Sequence, residues 1–178
     1  MPATRLEPDE ALERVRDALG DLATEVQLNL RDVAVTTTTD NLVEVMKKLR
    51  DAPEVACKYF TFLSGIDWST FADNPAGLEI FVHVQSPEHG IRVHVHAPID
   101  IENPHCPTLT GVFGGALWAE RETWELLGIV FDGHPALAPL YLPEDFEGHP
   151  LRKSFKLPSR MVKDWPGAKD PEEAAAGR

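Results

Sequence analysis

The chain has 178 residues, of which 43% are hydrophobic and 26% are charged, the composition of a globular domain with a buried core. It holds no run of roughly 18 apolar residues that could span a membrane, and its first residues lack the apolar segment of a secretory signal. The net charge of −12 argues against nucleic acid as the main partner, so we expect a cytoplasmic protein that reaches a membrane only through other proteins.

The first half of the chain predicts a helix, two strands and a second helix. Pro8 suits the first position of a helix and Gly20 suits its end, so this helix is predicted over residues 8–19. The second helix is expected to be capped by Asp40 and to end before Pro53. The strands between them are predicted over 22–30 and 33–38, and the second helix carries an apolar stripe of Leu42, Val45, Met46 and Leu49.

Three further strands are predicted over residues 59–68, 78–85 and 91–97, the last two joined by a hairpin loop. Alternation in 59–68 predicts one shared face for its large apolar residues, and alternation in the other two strands separates aliphatic from polar residues. The large apolar residues of 59–68 are Phe60, Phe62, Ile66 and Trp68.

This order of elements predicts an α+β fold. We expect a two-layer domain with a single mixed sheet of about five strands, helices packed on one face, then a helix near 116–128 and a long irregular C-terminal arm. The expected divisions are a core domain over 1–130, an extended basic docking arm over 131–163 and a disordered tail over 164–178.

Three histidines are predicted to share the polar face of the sheet. Matching the aliphatic faces of the two hairpin strands places His83 on the same face as His94 and His96. Three imidazoles could ligate zinc, but Arg92 lies in the same row and no carboxylate is expected nearby to orient the rings. A polar face, either exposed to water or covered by a partner, is therefore favoured over a metal site. His105 and Cys106 could add ligands to such a site, but no known ligand spacing supports this.

Cofactor motifs are missing from the sequence. The only two cysteines, Cys57 and Cys106, cannot supply the roughly four thiolates of an iron–sulfur cluster. Neither a dinucleotide-binding glycine motif nor a phosphate-binding loop nor a serine nucleophile elbow occurs. These features favour a chain that binds no cofactor itself and has no catalytic residues.

Glu120 is the most unusual residue of the third helix. On a helical wheel it falls within the stripe formed by Leu117, Trp124 and Leu127. A carboxylate in such a stripe is either a general acid or base with a raised pKa, or part of a buried ion network with Arg121, which could also reach Glu125. Because no companion nucleophile is evident, the ion network at an interface is favoured.

The second half of the chain also contains two turns and a basic run. Gly-His-Pro occurs at 133–135 and again at 148–150, and glycine followed by proline predicts a tight turn at each. From residue 148 to 163 there are five basic residues and no acidic ones, which indicates either a solvated tail or a docking strip for an acidic partner surface. The basic residues are Arg152, Lys153, Lys156, Arg160 and Lys163.

The run from Glu120 to Ile129 resembles a family signature. It reads E-R-E-T-W-E-L-L-G-I, similar to the E-R-E-x-aromatic-acid-x-x-G-aliphatic signature of the 30 kDa subunit family of bacterial NADH-quinone oxidoreductase, respiratory complex I. Phe131 to Pro135 and Phe146 to Lys153 resemble the segments that follow it in that family. The helix and strand order before the signature is also the order that the family fold implies.

The resemblance implies a structural and assembly subunit of the peripheral arm of an enzyme that passes electrons from NADH through FMN and iron–sulfur clusters to quinone, coupled to proton translocation. The subunit itself is expected to bind no cofactor and to contact the quinone-site subunit, the terminal-cluster subunit and the two-cluster ferredoxin-like subunit, on the cytoplasmic side of the membrane. The signature residues expected at these contacts are Glu120, Arg121, Glu122, Trp124, Glu125, Gly128, Gly133, His134, Pro135, Gly148, His149, Pro150, Leu151, Arg152 and Lys153.

Two alternatives remain open from the sequence. The family also includes equivalent scaffold subunits of membrane-bound hydrogenases, formate hydrogenlyase and coenzyme F420 dehydrogenase complexes, which the signature does not separate from the NADH enzyme. A small metal-dependent enzyme that uses His83, His94 and His96 is the alternative of a different class.

Overall fold

The computed structural model of the chain describes residues 6–71 and 77–157. The last part of the predicted arm, 158–163, and the whole predicted tail, 164–178, lie outside this range. The elements are α1 (Pro8–Leu19), a short 3-10 turn (Gly20–Leu22), β1 (Glu25–Asn29), β2 (Asp32–Thr36), α2 (Thr39–Asp51), β3 (Tyr59–Asp67), β4 (Gly77–Ser86), β5 (Ile91–Asp100), β6 (His105–Pro107), α3 (Ala116–Leu127) and β7 (Val130–Asp132).

The predicted α+β architecture is confirmed. Five strands form one mixed sheet in the order β1-β2-β5-β4-β3, in which only the β2–β5 pair is parallel. The helices pack on one face of this sheet and share a continuous hydrophobic core with it. A second, small sheet was not predicted: β6 and β7 pair in parallel and attach the end of α3 to the loop that precedes it. Within the described part of the chain no helix is long and apolar enough to cross a membrane.

The helix α2 forms because its apolar residues recur at the helical period. Its predicted stripe of four apolar side chains is completely buried, and burying each such side chain stabilises the fold by about 1.5–3 kcal/mol. The predicted cap at Asp40 is wrong. Thr38 has the extended backbone of a capping residue, and its hydroxyl accepts a hydrogen bond from the Asn41 amide at 3.4 Å. Asp40 lies in the first turn, where its charge favours the helix dipole.

The predicted single face for the large residues of β3 is also wrong. A bulge between Phe60 and Phe62 shifts the register against β4, so that these two side chains lie on opposite faces of the sheet. Phe60 packs against Phe113 in the core, whereas Phe62 stacks on His83 on the outer face. Simple alternation cannot anticipate an extra residue in a strand, because the bulge depends on pairing with a distant strand.

The hairpin of β4 and β5 has the predicted register. Val84 lies opposite Val93 on the core face, and His83 lies opposite His94 on the outer face. We call this outer surface the imidazole face; it carries Phe81, His83, Arg92, His94 and His96. Two groups of polar side chains are therefore candidates for a functional site: those on the imidazole face and those on α3.

Candidate functional site

Glu120, the first residue of the signature run, lies within α3. Its side chain is completely buried, and its two oxygens accept hydrogen bonds of 2.6 Å from the Thr108 hydroxyl and from the Leu109 backbone amide. Burial raises the pKa of this carboxyl group, although the two donors oppose the shift. The side chain therefore joins α3 to the loop at 108–110 and is closed off from solvent.

The second carboxylate of the signature, Glu125, holds the arm that follows α3. Its oxygens accept hydrogen bonds from three successive backbone amides, those of Leu140 at 3.0 Å, Tyr141 at 2.9 Å and Leu142 at 2.7 Å. Burial alone would raise the pKa of Glu125, but these three donors lower it below its ordinary range. The charged carboxylate thereby fixes a loop that has no regular structure of its own.

The predicted ion network between Glu120 and Arg121 is wrong. Arg121 points away from Glu120 and donates hydrogen bonds to the carbonyl oxygens of Ala138 at 2.9 Å and Pro139 at 2.7 Å. Adjacent residues on a helix diverge by about 100°, so a hydroxyl and an amide from the preceding loop reach Glu120 more easily than Arg121 does. Arg121 still helps to hold the pKa of Glu125 low through its charge, after the backbone donors.

The described arm, residues 131–157, closes the C-terminal end of α3. The last carbonyl groups of a helix have no partner within the helix. Here Glu125 O accepts from His149 Nδ1 at 2.8 Å, Leu126 O from the Leu151 amide at 3.0 Å, and Leu127 O from Arg152 Nε at 2.5 Å. The arginine is a favourable charge for this end of the helix dipole. Arm and helix therefore form one hydrogen-bonded unit, which we call the α3–arm module.

Gly128 makes this close approach possible. It ends α3 with a φ of +72°, and a Cβ atom at this position would lie 2.6 Å from His149 Nε2. The two predicted Gly-His-Pro turns are confirmed, with φ of +83° at Gly133 and +94° at Gly148. His134, in the first turn, hydrogen-bonds through Nε2 to the Leu117 carbonyl oxygen at 3.0 Å.

The far end of the arm is attached to the sheet. The Lys153 amide donates to Asp67 Oδ2 at 2.7 Å, and Asp67 Oδ1 accepts from the Ser69 amide at 2.8 Å. Burial would raise the pKa of Asp67, but the hydrogen bonds from Ser69 and Lys153 and the charge of Arg152 lower it. The side chain of Lys153 remains exposed, because only its backbone is used.

The remaining signature residues lie at or near the surface of the module. Trp124 is half-buried against the core, and Glu122 and Pro150 are half-buried without a side-chain partner in the described residues. Pro135 is exposed. Five of the nine large hydrophobic side chains that the described residues expose belong to the module: Trp118, Tyr141, Phe146, Leu151 and Leu157.

Neither cysteine belongs to the group of potential metal ligands found among the described residues. Cys57 and Cys106 are buried, and burial raises the pKa of Cys57 to about 12 and raises that of Cys106 as well. The structure places Cys106 in the core and His105 beside Asp132, so neither extends the histidine cluster.

Two carboxylates lie beside the histidines of the imidazole face, so the prediction that none lies nearby is wrong. His94 Nε2 lies 3.1 Å from Asp32 Oδ2, and His96 Nδ1 lies 2.5 Å from Glu79 Oε1. Glu79 belongs to the odd-numbered row of β4 and could have been found from the sequence. Asp32 arrives only through the parallel pairing of β2 with β5, which local periodicity does not predict.

Comparisons with known proteins agree on one family. Residues 35–161 match the family model described as respiratory-chain NADH dehydrogenase, 30 Kd subunit. A subunit of the NADH-quinone oxidoreductase of Roseiflexus sp. (strain RS-1) is 36% identical over 151 residues, which cover 85% of both chains. A subunit of the same enzyme from Rhizobium rhizogenes is 34% identical over 136 residues, which cover 76% of this chain and 66% of that relative.

Solved structures give the same fold. A trypsin-resistant fragment, residues 1–134, of Nqo5 superposes with a TM-score of 0.61 and 27% identity, covering 71% of this chain and 99% of the fragment. A chain of the archaeal membrane-bound sulfane sulfur reductase superposes with a TM-score of 0.68 over 84% of this chain and 85% of its own. Its identity of 18% indicates a shared fold alone.

Proposed function

The chain belongs to the family of the 30 kDa subunit of respiratory-chain NADH dehydrogenase, and from this premise we propose that it is a positioning subunit of an NADH-quinone oxidoreductase. In this role it holds the subunits that carry the electron path and performs no redox step itself. The assembled enzyme would carry FMN, iron–sulfur clusters and quinone, and this chain would bind to it on the cytoplasmic side of the membrane without entering the bilayer.

The α3–arm module is the observation that carries this proposal. Both signature carboxylates, Glu120 and Glu125, accept hydrogen bonds from the same chain, and the side chains of His134, His149 and Arg152 donate to its backbone carbonyl oxygens. Groups with satisfied hydrogen bonds stabilise a shape and are poorly suited to proton transfer, which needs an accessible donor or acceptor. The signature therefore supports a rigid support better than an active site.

The outward side of the module has the composition of a protein interface. Among its exposed aromatic and aliphatic side chains, Trp118 and Tyr141 are 64% and 63% accessible, and large side chains of this kind are typical interface anchors. The guanidinium carbon of Arg121 lies 6.0 Å from the centroid of the Trp118 ring, which orients both side chains. Lys153 and Lys156 are exposed at the end of the arm and provide a basic rim.

We propose that this side meets the partners expected for the family, namely the quinone-site subunit, the terminal-cluster subunit and the two-cluster ferredoxin-like subunit. The basic rim would face an acidic surface on one of them, because complementary charge selects the partner and orients the encounter. The apolar anchors would then supply most of the binding free energy.

The test is co-purification of the complex from membranes with a tagged chain. The double variant Lys153→Glu and Lys156→Glu should reduce recovery of the cluster-bearing subunits at least tenfold, because it reverses both charges and removes no side-chain hydrogen bond within residues 6–71 and 77–157. Arg152 is left unchanged, since its side chain caps α3 and its loss would damage the arm itself.

A matched control is available on α2. Lys47→Glu and Lys48→Glu reverse the same number of charges outside the module. They break the exposed Lys47–Glu44 ion pair, which is worth at most about 1 kcal/mol, so recovery should stay within about twofold of wild type. Equal loss in both double variants would show that net charge matters and the arm does not, and would contradict the docking role.

Mass spectrometry of the same preparation also distinguishes an NADH-quinone oxidoreductase from a membrane-bound hydrogenase complex. A co-purified flavin-containing NADH module supports the proposed assignment, whereas a hydrogenase module in its place would move the same positioning role to a different membrane complex. The names of the relatives that are 31–36% identical favour the first outcome.

A further inference from the structure

Three strands bring metal-binding side chains together on the imidazole face. Asp32 begins β2, His83 lies in β4 and His94 lies in β5. His83 and His94 face each other across the antiparallel pair, and the parallel pairing of β2 with β5 brings Asp32 beside them. One ligand atom from each of the three residues lies within 4.8 Å of the other two. We propose that these residues bind a transition-metal ion of the zinc type.

Unpartnered nitrogen atoms support this proposal. His83 is only 6% exposed, and its Nδ1 atom has no hydrogen-bond partner in the described chain, as is also true of His94 Nδ1. Leaving a buried polar group unsatisfied costs about 1–3 kcal/mol, so these two nitrogen atoms destabilise the metal-free sheet. A metal ion that accepts an electron pair from His83 Nδ1 removes the cost at that atom.

The spacing suits a metal with short bonds to nitrogen and oxygen. Zinc binds both atoms at about 2.0–2.2 Å, so neighbouring ligand atoms in a tetrahedral site lie roughly 3.3 Å apart. Asp32 Oδ2 and His94 Nε2, at 3.1 Å, already have this separation. The ligand nitrogen of His83 lies within 4.8 Å of the other two ligand atoms, so it has to move toward them by about 1.5 Å at most. Two imidazoles and a carboxylate are also a ligand set found in proteins that bind zinc or iron(II) with open coordination positions.

Arg92 limits the affinity of the site without blocking it. Its guanidinium contacts Asp32 Oδ1, whereas His94 is held by the other carboxylate oxygen, Oδ2. A carboxylate can bind metal through one oxygen while an arginine orients the other, which is a common supporting contact around metal ligands. Because the positive charge of Arg92 offsets that of Asp32, we expect moderate affinity.

His96 is excluded from the site although it lies on the same face. Its Nδ1 is bound by Glu79, and the second oxygen of Glu79 accepts a hydrogen bond from Trp68 Nε1 at 3.0 Å. The face is therefore divided into a satisfied pair and an unsatisfied cluster. This division provides a control variant of the same residue type in the same strand as His94.

The test uses the purified full chain without a histidine tag, dialysed to equilibrium against zinc ions and then analysed for metal. We expect one zinc ion per chain, and we expect His83→Ala, His94→Ala and Asp32→Asn each to weaken binding at least about tenfold. His96→Ala should change the affinity by less than about threefold. The absence of stoichiometric zinc in the wild-type chain, or equal weakening by His96→Ala and His94→Ala, would overturn the proposal.

A measurement on the unmodified chain guards against variants that fail to fold. Cobalt(II) added to the wild-type protein should produce the visible absorption of a site with nitrogen and oxygen ligands. It should also broaden the imidazole NMR signals of His83 and His94 most strongly, while those of His134 and His149 in the α3–arm module persist. Broadening centred on His96, or spread evenly over all histidines, contradicts the assigned ligands.

Discussion

The α3–arm module and the imidazole face contain the same kinds of side chains in opposite states. Each has carboxylates, histidines and arginine. In the module the carboxylate of Glu125 and the ring of His149 are hydrogen-bonded to backbone atoms of the same chain. On the imidazole face His83 and His94 retain buried nitrogen atoms without partners in the described residues. The module supplies hydrogen-bond partners to its own buried polar groups, whereas the buried nitrogen atoms of the imidazole face need a ligand from outside the chain.

This contrast shows how polar clusters can be assigned to different roles. A satisfied cluster stabilises a conformation, and its removal should change stability first. An unsatisfied cluster costs free energy in the isolated chain, and its removal should change ligand binding while leaving stability nearly constant. Substitutions in both regions therefore test whether the two clusters differ in this way.

The largest effect is expected for Glu120→Ala. It leaves a cavity in the core and deprives the Leu109 amide of its acceptor, so the free energy of unfolding should fall by about 3–4 kcal/mol. Urea denaturation measures the loss. Glu122→Ala, on the same helix but without a side-chain partner in the described chain, serves as the control and should cost less than about 0.5 kcal/mol. Similar losses in both variants would contradict the structural role of Glu120.

Glu125→Gln should cost about 2 kcal/mol, because an amide cannot accept all three backbone hydrogen bonds. The variant should also lose a pH dependence. The folded pKa of Glu125 is below its ordinary value of 4.5, so its contribution is complete above pH 4.5 and disappears as pH falls through the folded pKa. Denaturation curves between neutral and acidic pH should converge for the two proteins. A constant difference would mean that the carboxylate does not hold the loop at 140–142.

Gly128→Ala should destabilise the chain by about 1–2 kcal/mol, because the new Cβ meets His149 and the positive φ is strained for alanine. Proteolysis should then cut the arm faster than in the wild type. Gly114→Ala is the matched control, since a Cβ atom there has no neighbour within 4 Å. Unchanged arm cleavage in Gly128→Ala would argue that the arm does not depend on this contact.

The smallest effect on stability is expected on the imidazole face. His83→Leu in the metal-free chain should change the free energy of unfolding by no more than about 1 kcal/mol, and in the stabilising direction, because it removes an unsatisfied buried nitrogen. Since burial and the neighbouring His94 lower the pKa of His83, the wild-type chain should lose stability as pH falls below 6.5, and the variant should lose less. A loss comparable to that of Glu120→Ala would remove the distinction between the two regions.

Much of the fold could be predicted from the sequence because it depends on neighbours along the chain. The stripe of α2, the end of α1 at Gly20 and the facing rows of β4 and β5 all follow from periodicity and from residues that begin or end elements. The two Gly-His-Pro turns belong to the same group, since glycine and proline act on their own backbone angles.

The tertiary structure decided every contact between residues far apart in the chain. The bulge in β3, the position of Asp32 beside His94, and the attachment of Lys153 to Asp67 each require strands or loops to meet after distant segments have folded. Local patterns place a side chain on a face but do not say which distant donor reaches it. For this reason the sequence identified Glu120 and Glu125 as important, and only the packed chain determined that a hydroxyl and backbone amides, not Arg121, are their partners.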